Sequence, residues 1–186
     1  MLCAKLSRVK IRKSFLLIIL TLAAIKTSAI LMRPLSIEEL SQKANLILNG
    51  TIISKSCERD NAGRIFTKHE LQVTEVWKGS LETNLFIIVH SGGTIGDERA
   101  DMSGEASFDV GEEIVAFLVV NQRGQGVSIG LAQGKFTVSR DENTGEKLVR
   151  NLFHGRTDGH AAPDKAIAAG RLTLADLKRQ AQRGAK

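Results

Sequence analysis

The 186-residue sequence has no tyrosine, one tryptophan and seven phenylalanines. Carbohydrate-binding surfaces and base-stacking platforms present exposed aromatic faces, so the shortage argues against both. Cysteine is equally scarce, with Cys3 and Cys57 alone. Cys3 lies in an N-terminal segment that reads as removable. That leaves Cys57 without an internal partner and excludes a disulfide framework. Nothing beside Cys57 in the sequence favours a thiolate, so it reads as a partly buried, inert thiol or a solvent-facing one beside Glu58. A Gly-x-Ser-x-Gly elbow is missing, and so is any repeat of domain size. No segment beyond the N-terminal one is long and apolar enough to cross a bilayer.

What the chain does have is an export signal. Lys5, Arg8, Lys10, Arg12 and Lys13 precede an apolar run from Phe15 to Ile25, and Thr27-Ser28-Ala29 supplies a small-residue cleavage site. The run of 11 residues is short of the roughly 20 needed to span a bilayer. Residues 1–29 are therefore expected to be removed, releasing the protein into the periplasm or the medium. The alternative is an uncleaved signal that tethers it to the membrane. Six of the 26 basic residues precede Ile30 and no acidic one does. Cleavage would leave 20 basic and 20 acidic residues, so the basic pI of about 9.5 belongs to the signal. It gives no ground for a nucleic-acid surface.

The remaining residues suit one domain. Residues 30–44 carry a short helix, with Ser36 as N-cap, Glu39 reaching back to it, and Leu35 and Leu40 as the apolar staple. Strands are expected over Leu46–Ser54, bent at Gly50, and Ile65–Trp77, with Leu71, Val73, Val76 and Trp77 as its apolar positions. Leu85–Val89 reads as a strand buried on both faces or at a barrel crossing. Ile114–Val120 reads as the strongest core strand. Short strands follow over Val127–Leu131, Lys135–Ser139 and Lys147–Asn151. Many short strands without alternating helices make the chain mostly β. A small OB-like Greek-key barrel over residues 45–151 is the first choice, and a sandwich the second. Residues 152–170 read as a flexible linker. Residues 171–186 form a C-terminal helix capped by Thr173 with Asp176, its apolar face made by Leu174, Leu177 and Ala181. Such a helix must pack on the barrel, bind a partner, or fray.

Candidate chemistry gathers in the glycine-rich loop from Ser91 to Gly104, with a weak strand expected over Ala100–Met102. Ser91-Gly92-Gly93-Thr94-Ile95-Gly96 follows a strand as phosphate loops do, but lacks their Gly-Lys-Ser/Thr ending and a following helix. Asp97, Glu98, Asp101 and Glu105 could offer oxygens to calcium, but their spacing does not fit the 12-residue calcium loop, and Arg99 sits among them. His154 and His160 flank Asp158 without a zinc-site spacing, and His69-Glu70 lacks the second histidine of a zinc-protease helix. No metal or cofactor is called for. The loop remains the longest irregular surface, and Gly92, Gly93, Thr94, Asp97, Glu98, Arg99 and Asp101 are the candidate partner contacts.

Three phrases carry a resemblance. Ala44-Asn45-Leu46-Ile47-Leu48-Asn49-Gly50-Thr51-Ile52, Val73-Thr74-Glu75-Val76-Trp77-Lys78-Gly79, and the stretch from Phe108 to Leu118 resemble strands of the tissue-inhibitor-of-metalloproteinase and netrin-like OB domains. Gly130-Leu131-Ala132-Gln133-Gly134-Lys135-Phe136 is similar to a phrase of uncharacterised exported bacterial proteins of this kind. The resemblance implies an OB-like fold over about Ala44 to Asn151. Those inhibitors chelate the protease zinc through an N-terminal cysteine, and no cysteine stands near the mature N-terminus here, so that mechanism does not carry over. The expectation is an exported, non-catalytic domain that binds an exported protein, with the loop and the C-terminal helix as contacts. Two alternatives stay open: a hydrolytic or metal-dependent envelope enzyme joining His69 or His90 to the acids of the loop, and a membrane-tethered structural protein. No feature fixes an oligomeric state.

Overall fold

The structure, a computed structural model, describes residues 33–155 and 170–185. The signal, and residues 156–169 of the expected linker, lie outside the described residues. No helix among the described residues is long and apolar enough to cross a membrane.

Helix α1 (Ile37–Lys43) starts as its sequence requires. The Glu39 N–H donates to Ser36 Oγ at 3.1 Å, and the Ser36 N–H donates to Glu39 Oε2 at 2.9 Å. Both orphan amides are thereby satisfied. Nine strands follow: β1 (Leu46–Arg59), β2 (Ile65–Lys78), β3 (Leu85–Ser91), β4 (Gly93–Ile95), β5 (Glu98–Ala100), β6 (Glu113–Val120), β7 (Gly126–Ser128), β8 (Lys135–Arg140) and β9 (Lys147–Arg150). A 3₁₀ turn spans Leu131–Gly134, and helix α2 spans Leu174–Gly184.

Seven strands make one mixed sheet in the order β1-β2-β3-β7-β6-β8-β9, and β1 pairs with β6 as well. The sheet therefore curls into a partial, barrel-like ring. Its weakest seam is β3 against β7, a single parallel pair, Ile88 with Gly126. The curl depends on β1, whose first half runs between β2 and β6. Three register shifts along β1–β2 bend the pair. At Gly50 a Cβ would stand 2.3 Å from the Gln72 carbonyl oxygen, so only glycine fits the bend.

Both faces of this sheet are covered. Leu46, Leu48, Ile52, Leu71, Phe86, Ile88, Phe108, Ile114, Ala116 and Leu118 fill the inside of the ring. Ile47, Trp77, Val115, Phe117, Phe136 and Val149 pack on the other side with Ile37, Leu40, Leu177 and Ala181 of the helices. Residues alternate between the two clusters along Leu46–Leu48 of β1 and Ile114–Leu118 of β6, which is why these two stretches read as apolar runs.

Helix α2 docks on its own domain. Thr173 Oγ1 accepts the Asp176 N–H at 3.0 Å. Leu177 and Ala181 are buried against α1, and a Cβ on Gly184 would come within 3.0 Å of Glu38 and Ser41. The residues before it form a strap: Thr173 bridges Leu148, and the Val149 N–H donates to the Leu172 carbonyl at 2.9 Å. The strap covers the outer edge of β9, an edge that would otherwise be open to pairing.

Several expectations need correction. β3 alternates instead of being buried on both faces, and Leu85 is 49% exposed. Val76 faces solvent, because bulges at Thr74 and Trp77 turn the end of β2. The strand expected over Val127–Leu131 stops at Ser128, where Gly130 and Leu131 adopt positive φ and open the 3₁₀ turn. Leu152–Gly155, read as linker, instead folds back: the Phe153 and His154 amides donate to Asn151 Oδ1, and His154 is buried against Phe136.

Removing the side chain that locks α2 to the sheet should be costly. Leu177→Ala is expected to lower unfolding stability by about 2–5 kcal/mol, while Leu85→Ala on the exposed start of β3 changes it by less than about 0.5 kcal/mol. Urea denaturation of both variants checks this.

Candidate functional site

The segment from Ser91 to Gly104 is not an irregular loop. It turns at Gly92-Gly93 into a separate two-stranded sheet, β4 with β5, in which Thr94 pairs with Arg99. Gly96, with φ of 59°, opens the two-residue turn completed by Asp97, a geometry that suits a hairpin. The strand lies at Glu98–Ala100 rather than Ala100–Met102. Gly92 clamps the base: its N–H donates to the Ile65 carbonyl at 2.9 Å, and its carbonyl accepts from Thr67 Oγ1 at 2.7 Å. Gly93 lies over the side chains beneath. A Cβ there would meet Thr67 Oγ1 at 2.5 Å and Cys57 Sγ at 2.8 Å.

The seven residues singled out from the sequence therefore divide. Gly92 and Gly93 are the base of the hairpin, while Thr94, Asp97, Glu98 and Arg99 are exposed along it, and Asp101 follows it. Arg59 holds Glu98 through a two-pronged contact, and Arg99 Nε holds Asp101 at 2.8 Å. Glu98 and Asp101 are thus matched to arginines rather than turned towards one point. Among the described residues no group of three or more His, Cys, Asp or Glu is arranged to hold a metal ion.

Beneath the hairpin lies a cluster set by strand register. Cys57 on β1 and His90 on β3 flank Thr67 on β2, and Lys55 and Ile88 flank His69 in the next row. All six share one face of the sheet, because side chains alternate along a strand. The Cys57 thiol is drawn below its ordinary pKa by hydrogen bonding with Thr67, then by the Thr94 N–H, against the effect of burial; the Lys55 charge adds to the lowering. Thr67 and Thr94, the two hydrogen-bonding partners, come from other strands, so the stretch around Cys57 in sequence does not reveal them. Thr67 has a single hydroxyl proton, with Gly92 O at 2.7 Å and Cys57 Sγ at 3.4 Å. A thiolate at Cys57 competes with the Gly92 carbonyl for that proton.

His69 is fully buried, and neither ring nitrogen has a hydrogen-bond partner. It stacks on His90 with centroids 5.1 Å apart and tilts against Phe108 at 4.9 Å. Lys135 Nζ stands 5.6 Å over the other part of this column, the Phe108 ring. Lys135 also pairs with Glu112 at 2.5 Å, and Thr137 Oγ1 donates to the same Glu112 oxygen at 2.6 Å. Burial first, then the neighbouring His90, Lys55 and Lys135, pushes the His69 pKa down to about 4; Glu112 opposes them. His90 Nδ1 lies 2.9 Å from the Ser91 carbonyl, which can only accept, so that nitrogen carries the proton.

No protein-family model and no curated protein matches this chain. The cluster and its hairpin have only their own chemistry to declare them. The sequence marked the hairpin by its glycines and charges. It did not mark the meeting of His69, His90, Phe108 and Lys135, which are spread over four segments. The period-2 register of β2 and β3 is the signal that joins the two histidines. His154, considered with Asp158 and His160, is turned inward instead, its Nδ1 3.1 Å from Asn151 Oδ1; burial pushes its pKa down to about 4. Asp158 and His160 lie outside the described residues.

The Gly93 contact predicts a local effect. Gly93→Ala should lift the hairpin, destabilise the domain by at least about 1 kcal/mol, and speed alkylation of Cys57 by iodoacetamide, read by mass spectrometry on the Cys57 peptide. Unchanged stability and labelling would show that the hairpin does not rest on the thiol.

Proposed function

We propose that this chain is an exported, non-catalytic protein-binding domain of OB-like Greek-key architecture that meets its partner through the β4–β5 hairpin. The observation that carries the reading is the hairpin itself. It is anchored at its base by Gly92 and Gly93, and β5 has no second strand neighbour among the described residues. A short edge strand with an anchored base is a pre-organised contact. It loses little entropy on binding and offers main-chain groups for pairing. Arg99 is exposed along it, Asp101 is exposed just past it, and Met102 beside them is 53% exposed, an apolar side chain among charges.

The OB-like reading is supported by strand order. β1, β2 and β3 form a meander, β3 meets β7 in parallel, and β7 returns through β6 to β1. The phrases that resemble tissue-inhibitor and netrin-like domains fall on β1, on the end of β2, and on the approach to β6 with most of that strand. Export, with cleavage near Ala29, rests on the basic-then-apolar composition of the first 29 residues. The C-terminal helix, the other expected contact, has its apolar face buried in its own domain, so the hairpin is the stronger choice.

A photo-crosslinking residue in place of Arg99, with the protein produced in its own host, tests the reading. A discrete protein adduct is expected from position 99 and not from position 123 in the β6–β7 turn. Adducts of equal yield from both positions, or none from position 99, would count against the hairpin as a contact.

A further inference from the structure

We propose that the His69–His90–Phe108 stack is an acid-sensitive latch: it holds the segment Ala106–Glu112 against the inside of the ring, and proton uptake by His69 releases that segment. The geometry makes the neutral imidazole part of the packing. His69 is sealed, with Phe108 across it and His90 stacked on it. Neutral, it leaves one N–H donor without an acceptor. Protonated, it has two donors, and no acceptor reaches either nitrogen. A buried, unpaired charge is among the most costly arrangements in a fold.

The groups facing His69 make the charge still less welcome. Lys55 comes from β1, His90 from β3 and Lys135 from β8, all of them cationic or able to become so. Glu112 is the one opposing charge among these neighbours, and it is committed to Lys135 and Thr137. Relief comes by letting water in, and Phe108 is the part that can move. The segment between β5 and β6 pairs with no strand along its length: it is held by the buried side chains of Ala106 and Phe108, by the Ala132 N–H to the Gly104 carbonyl, and at its far end by the Gly111 N–H to the Ile52 carbonyl, the Ile52 N–H to the Glu112 carbonyl, and Glu112 on Lys135 and Thr137. Val110 within it is already 61% exposed. The strands around His69 are paired along their length and cannot yield so cheaply.

The sign follows from the depressed folded value. An unfolded or released His69 takes its proton near 6.5, while the latched one resists until about 4. The closed state is therefore fully favoured above pH 6.5 and loses stability as the pH falls from there towards 4.

Amide and histidine-ring NMR of the full chain from pH 7.5 to 4 tests the latch. The amides of Ala106, Phe108 and Val110 should shift or broaden together as His69 titrates, while the Trp77 indole signal, in the opposite cluster, stays in place. His69→Leu should keep the segment closed until the whole domain unfolds. His90→Gln, which removes a stacked neighbour that opposes the charge, lets the closed state hold the protonated ring at less cost and should move the release to lower pH. A segment that stays closed through the His69 titration, or that opens at the same pH in His69→Leu, would overturn the proposal. If His69→Leu fails to fold, an unmoved midpoint in His90→Gln overturns it alone.

Discussion

Everything in this domain depends on β6 and the first half of β1 being buried on both faces at once. The pairing of Leu46–Thr51 with Glu113–Leu118 places alternate side chains on opposite sides. One set fills the ring and the other carries the helices. A typical half-buried strand contributes one face to a core; these two strands each contribute to two. The helices, the β8–β9 flap and the segment around Phe108 are all attached to this pair of strands, directly or through one neighbour.

That constraint explains why some of the fold was legible in the sequence. Ile114–Val120 announces itself as a core strand because nothing polar interrupts it. The capping residues Ser36 with Glu39 and Thr173 with Asp176 mark helix starts, because the orphan amides there need side-chain oxygens. Gly50 marks the bend. Local chemistry decides all of these, so local reading reaches them. Leu85–Val89 looks just as apolar as β6, yet it alternates in burial. Whether a run is covered on one face or two depends on what packs over it, and that is a tertiary fact.

The candidate site shows the same division. Glycines and charges between Ser91 and Gly104 identify a special segment, and their pattern is compatible with either a loose loop or a hairpin. What selects the hairpin is its footing on Ile65, Thr67 and Cys57, about 25 to 35 residues earlier in the chain. Cys57 illustrates the limit best. Lys55, its neighbour in sequence, adds least to the lowering of its pKa, while a hydroxyl from one strand and an amide from another contribute more.

The strap of Leu172 and Thr173 over β9 has a consequence for the order of assembly. Chains are made from the N-terminus, and this strap with its helix emerges after every strand of the sheet. Until it does, β9 presents an unshielded edge, and the apolar side chains that later receive Leu177 and Ala181 face water. Any stage at which the sheet has formed before the strap docks leaves its margin bare. Chaperone protection or prompt docking matters most at such a stage, and a chain stalled before this helix would be the species most prone to self-association.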